Sequence, residues 1–152
     1  MIENIIHNEV LFAIIIRADY KNDGIEFFTP DDFSQQLGYM TRRKGYIIKP
    51  HLLQHQERKV SCSQKILVLK SGKVRIDIYD REKNYLKSTV ISGGDIILLA
   101  EGIHGFEMIE DAEIIEIKQG PYHPLHKIKL ALLLLNELVN VERDFSVIQP
   151  IL

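Results

Sequence analysis

Cysteine is nearly missing from this chain: Cys62 is the only one in 152 residues. A lone cysteine excludes an intramolecular disulfide, so the core must hold the fold, and a reducing cytoplasm is the expected compartment. An excess of one charge is missing too. Nineteen Lys and Arg stand against 21 Asp and Glu, a net charge of −2, with both signs interspersed. That balance gives neither the basic footprint of a nucleic-acid binder nor a polybasic membrane patch. No apolar run approaches the roughly 20 residues of a membrane-spanning helix. The N-terminal sixteen residues have no basic leader region, and Glu3 and Glu9 interrupt them, so they do not read as a signal peptide. The paired glycines Gly93 and Gly94 lack both the P-loop lysine and the dinucleotide-binding spacing. The expected partners therefore include no nucleic acid and no membrane.

What is present is an ordinary globular composition, 45% hydrophobic, in a chain long enough for one domain with a proper core. Residues 10–16 are apolar and isoleucine-rich, as a strand requires. Residues 19–24 have turn chemistry, and residues 25–28 suit a short strand. Thr29 followed by Pro30 predicts a helix start, with one or two turns over residues 33–37 closed by Gly38. Residues 46–48 are a further strand candidate. Residues 65–70 read as a core strand with a turn at Ser71 and Gly72. Residues 73–79 alternate: Val74, Ile76 and Ile78 share one face. A hairpin turn over residues 80–84 returns the chain as a strand over 85–91. Four consecutive apolar residues, Ile96 to Leu99, suit a strand buried on both faces, and two more strand-like runs follow it. The spacing predicts eight to ten short strands. Residues 125–141 contain no glycine or proline and are leucine-rich, which predicts a helix with a wide apolar arc.

Two of these segments carry a resemblance. Lys65 to Val74 (KILVLKSGKV) is similar to the strand–turn–strand that ends the first motif of the cupin superfamily. Gly94 to His104 (GDIILLAEGIH) is similar to the second motif: Gly94 matches its opening glycine, Gly102 its turn glycine and His104 its histidine. Ala100 stands where a proline is usual. Residues 24–122 resemble small single-domain bacterial cupins of unassigned activity, some found with surface-polysaccharide genes. The resemblance implies an all-β fold, a double-stranded β-helix (jelly-roll, cupin) barrel with a C-terminal α-helix. It implies a barrel with N-terminal strands over residues 1–122. Residues 123–152 would be a helix and tail packing on the barrel or on a partner subunit. Small cupins are commonly dimers, so a homodimer is expected.

The resemblance also implies a site. Cupin metal centres usually use three histidines and one glutamate. Here His51 matches the first histidine and His104 the last, whereas Leu53 falls at the second histidine and Lys65 at the glutamate. Leucine cannot coordinate, and an ammonium repels a cation. If the segment after His51 is extended, His55 points the same way, so the remaining candidate metal ligands are His51, His55 and His104. The cofactor expectation is none, or a weakly held divalent ion such as Zn, Ni, Mn or Fe. The expected ligand pocket comprises His51, Lys65, His104, Tyr46 and Phe106, with Lys65 offering its ammonium to a sugar or other small anionic ligand. No catalytic residue is assigned. The leading expectation is a small-ligand-binding cupin, carbohydrate-related and acting in surface-polysaccharide synthesis, with a degraded metal site. The alternatives are a metal-dependent sugar isomerase, epimerase or dioxygenase, and a structural or regulatory dimer without catalysis.

Overall fold

The structure is a computed structural model that describes residues 1–53, 60 and 62–120. The expected C-terminal helix, the 123–152 unit and His55 lie outside the described residues. Met1–Gln119 forms one compact unit. It is all-β and antiparallel, with ten strands: β1 (Ile2–His7), β2 (Val10–Ile16), β3 (Gly24–Phe27), β4 (Gly38–Thr41), β5 (Lys65–Ser71), β6 (Lys73–Tyr79), β7 (Tyr85–Ser92), β8 (Ile96–Leu99), β9 (Ile103–Met108) and β10 (Glu113–Lys118). Among the described residues no helix is long and apolar enough to cross a membrane.

Three bent ribbons organise the strands. β5 and β6 run through two sheets in succession, with a corner at Gly72. β7–β8 lies antiparallel along one side of this ribbon, since β7 pairs with β6 and β8 with β5. β9–β10 lies along the other side, β9 on β6 and β10 on β5. The halves so produced are a five-stranded sheet, β1-β2-β8-β5-β10, and a three-stranded sheet, β7-β6-β9. The corners stack at one end. Gly72 accepts a hydrogen bond from Gly93 N at 3.1 Å, and a Cβ on Gly72 would stand 2.0 Å from the Asp111 carbonyl oxygen. Its φ of +82° is also a conformation that only glycine adopts cheaply.

The side-chain alternation of each strand decides what the sheets enclose. Ala13, Ile15, Leu67, Leu69, Ile97 and Leu99 point inward from the large sheet to meet Val74, Ile76, Ile78 and Ile91 of the small one. The alternation read in β6 is thus its core face. The outward residues of the large sheet, Ile14, Ile16, Ile66 and Leu98, form a second cluster under Tyr20, Phe28, Phe33 and Leu37. β8 is therefore buried on both faces, as its four apolar residues require. Each fully buried Ile or Leu contributes about 1.5–3 kcal/mol relative to exposure.

Residues 29–37 do not form the predicted helix. The Thr29 hydroxyl accepts from Leu37 N, eight residues on, at 3.1 Å, rather than capping a first turn. The Gln36 amide donates to the carbonyls of Pro30 and Phe33, oxygens a helix would commit to backbone N–H groups. The segment becomes a turn that lays Phe33 and Leu37 onto the large sheet. Residues 46–48 are likewise not a strand: Tyr46, Ile47 and Ile48 are exposed and irregular. Two strands, β1 and β4, were not expected. β1 joins β2 through a two-residue turn in which Asn8 and Glu9 both have positive φ, the twist a tight hairpin demands.

Candidate functional site

The corners close one end of the two sheets. At the other end β5 and β9 begin and β6, β8 and β10 finish. Lys65 is the first residue of β5, opposite Leu99 on one side and Lys118 on the other. It follows the inward phase of Leu67 and Leu69, so it enters the space between the sheets. Its side chain is only 13% exposed, and its Nζ lies 3.3 Å from Glu116 Oε2. The ammonium also sits 5.7 Å from the centre of the Phe106 ring, within cation–π range.

β10 contributes the partners. Glu116 lies opposite Leu67 and so shares the inward face, together with Lys118 and Ile114. The Lys118 ammonium is 2.9 Å from Glu116 Oε1. Glu116 therefore receives two ammonium groups. The Lys118 hydrogen bond, then the Lys65 charge, hold its carboxyl below the ordinary range, against the upward push of burial. β9 supplies the facing wall. His104 lies opposite Ile78 and Phe106 opposite Ile76, both in the inward phase. Their rings are 5.2 Å apart and tilted by 53°.

Of the five expected pocket residues, the structure brings Lys65, His104 and Phe106 together at this end of the sheets, the mouth. His51 and Tyr46 stand elsewhere, in the irregular segment between β4 and β5. His51 is exposed, with Nδ1 3.1 Å from the Lys49 carbonyl oxygen. Tyr46 is exposed beneath the Arg42 guanidinium, 5.0 Å from its ring centre. Leu53 is 87% exposed. Glu116 and Lys118 were not anticipated. Their signal was a charge at alternate positions of β10, at the same phase as Lys65.

The described residues do not fit a metal centre. Among them no three His, Cys, Asp or Glu side chains approach one another closely enough to hold an ion. The interior position at the start of β5 is taken by the Lys65 ammonium, which repels a cation. The arrangement places two ammonium groups on one carboxylate beside an aromatic face and an imidazole, a set of side chains able to donate to an anion.

No family model, curated protein or solved structure matches the chain. The chemistry of the site therefore rests on its own geometry.

Proposed function

We propose that the protein is a small-ligand-binding domain of the cupin type, a jelly roll that holds an anionic, sugar-like ligand at the open end of its sheets and needs no metal to do so. The ribbon path supports the jelly roll, because β5–β6 is flanked by β7–β8 and β9–β10 through both sheets, as a double-stranded β-helix requires. One observation carries the ligand reading. Lys65 directs a largely buried ammonium between the sheets, where a merely structural residue would be apolar. Lysine is rarely buried without a partner of its own, and this one shares Glu116 with Lys118.

The chemistry follows from that placement. An incoming carboxylate or phosphate takes Lys65 as its counter-ion while Glu116 keeps Lys118. The Phe106 face stacks on the apolar face of a sugar ring, and His104 supplies a group that can donate or accept at a hydroxyl. Burial strengthens each contact by excluding water.

The test is calorimetric titration with glucose 1-phosphate, galacturonate and neutral glucose. The anionic sugars should bind and glucose should not, and Lys65→Met should weaken binding about tenfold or more. Equal binding by wild type and Lys65→Met would remove the site. Elemental analysis of protein purified without chelators tests the alternative, since stoichiometric Zn, Ni, Mn or Fe lost on His104→Ala would favour a metal-dependent enzyme. Sedimentation of the same sample tests the homodimer that the resemblance implies.

A further inference from the structure

The residue before Lys65 opens onto different chemistry. Alternation sends Lys65 inward and Gln64 outward. On that outer side, the turn after Pro30, the start of β2 and the approach to β5 enclose a cleft of about 490 Å³. Its polar lining among the described residues is Glu9, Asp32, Ser34, Cys62, Gln64 and Glu101. Three of the six are carboxylates, and the side-chain donors among them are the neutral Ser34 hydroxyl, Cys62 thiol and Gln64 amide. Pro30, at its edge, has no N–H to give. Glu101 is already held by Arg81 through two contacts at 2.5 and 2.9 Å. Glu9 and Asp32 join no ion pair among the described residues.

Gln64 makes the cleft more than an acidic surface. It is only 6% exposed, and its side-chain Oε1 is buried with no hydrogen-bond partner. A buried acceptor without a donor is uncommon in a folded protein and marks a place where a donor is missing. The backbone there is not at fault, because Gln64 N is satisfied by Gln119 Oε1 at 2.9 Å.

We propose that this outer cleft is a second binding site, for a small primary ammonium ion that carries additional O–H or N–H donors, such as an amino sugar. The ammonium charge is balanced by the carboxylates of Glu9 and Asp32. One donor reaches Gln64 Oε1 after a small rotation of the amide, and another meets the Ser34 hydroxyl. The site lies on the opposite face of the large sheet from Lys65 and selects the opposite charge.

Calorimetric titration with glucosamine, against glucose and N-acetylglucosamine as neutral comparators, tests it on the full chain. Glucosamine should bind at one equivalent, at least about tenfold more tightly than either neutral sugar. Gln64→Leu should weaken glucosamine binding about tenfold while leaving the melting temperature unchanged or higher, because the unpaired acceptor has gone. Should that variant fail to fold, the exposed Asp32→Asn still decides: its glucosamine affinity should fall several-fold. Lys65→Met should leave glucosamine binding as it was, which separates this cleft from the inner mouth. Equal affinity for glucosamine and glucose, no binding by the wild type, or wild-type affinity in Asp32→Asn would each overturn the proposal.

Discussion

The two ends of the sheets use charge in opposite ways. At the corner end, Asp95 is 4% exposed and both of its carboxylate oxygens accept hydrogen bonds. Its Oδ1 accepts from Ala18 N at 2.8 Å, and its Oδ2 accepts from Ser92 N at 3.0 Å and from Arg17 at 2.8 Å. Arg17 in turn reaches Glu3 at 2.6 Å and the Val90 carbonyl at 2.7 Å. At the mouth, Lys65 and Lys118 divide one carboxylate, and an aromatic face stands in for a second acceptor. The first arrangement ties β2, β7 and β8 together. The second gathers side chains of β5, β9 and β10 around one ammonium through ion-pair and ring contacts between side chains. A network closed by backbone donors is structural, whereas the proposed ligand site relies on charges held by side chains alone.

Backbone substitutions should break the comparison most sharply. Gly72→Ala places a Cβ 2.0 Å from the Asp111 carbonyl oxygen at a positive φ. The corners must then separate, at a cost on the order of 4 kcal/mol. Gly105→Ala, on β9 at the mouth, meets nothing within 4 Å and should change stability by less than about 0.5 kcal/mol. Urea unfolding of the two variants checks this. Similar losses in both would mean that the mouth is packed as tightly as the corners.

The buried pair comes next. Asp95→Ala leaves Arg17 short of a partner and two backbone N–H groups without an acceptor, so it should cost about 3 kcal/mol. Burial pushes the Asp95 carboxyl up, yet the Ser92 and Ala18 N–H groups and Arg17 outweigh it and hold the group low. A carboxyl held low in the folded state stabilises it above the unfolded value. That contribution disappears as pH falls through the depressed folded value, below about pH 4. Acid unfolding followed by circular dichroism should begin later in Asp95→Ala, relative to its own neutral-pH stability, than in the wild type.

How much of this was legible in the sequence depended on which face each residue took. Val74, Ile76 and Ile78 alternate with charged residues, so their side of β6 could be read directly. Ile96 to Leu99 could be read because both faces are apolar. β10 could not be phased: Ile114, Ile115 and Ile117 occupy both faces, and the register shift between Glu113 and Ile114 removes the local clue. Only its pairing with β5 shows that Glu116 and Lys118 point inward while Ile115 and Ile117 point out. Residues 29–37 misled for another reason. Thr29 and Pro30 carry a helix-start signal, but the Gln36 amide captures the carbonyls a helix needs. Lys65 was singled out from its place in the motif, and its neighbours Glu116 and Phe106 are separated from it by more than forty residues of folding.

Removing the inner ammonium should sharpen the contrast in the opposite direction. Lys65→Met keeps the stem that packs between the sheets and leaves Glu116 to Lys118. Removing one partner of a buried pair is costly when it strands the other charge, but here Glu116 keeps Lys118 and the Lys65 ammonium no longer has to be desolvated. The variant should therefore equal or exceed the wild type by up to about 1 kcal/mol in urea, while losing anionic ligands. A loss of more than about 1 kcal/mol would make Lys65 a structural counterpart of Arg17 and undo the distinction between the ends.

The smallest effect belongs to Glu116. Its carboxyl is held low by Lys118 and Lys65, so it stabilises the fold above the unfolded carboxyl value near 4.5. That contribution goes as pH drops through the lower folded value. A third of the side chain is exposed, and solvent screening reduces the effect to a few tenths of a kcal/mol. Glu116→Gln should remove that part of the acid dependence between pH 5 and pH 3 and leave the larger Asp95 contribution in place. In 0.5 M salt the Glu116 contribution should shrink further, whereas that of the buried Asp95 should persist, because screening acts on exposed pairs far more than on buried ones. If added salt weakened both acid dependences equally, the corner end would be as open to solvent as the mouth, and the division of labour between them would not stand.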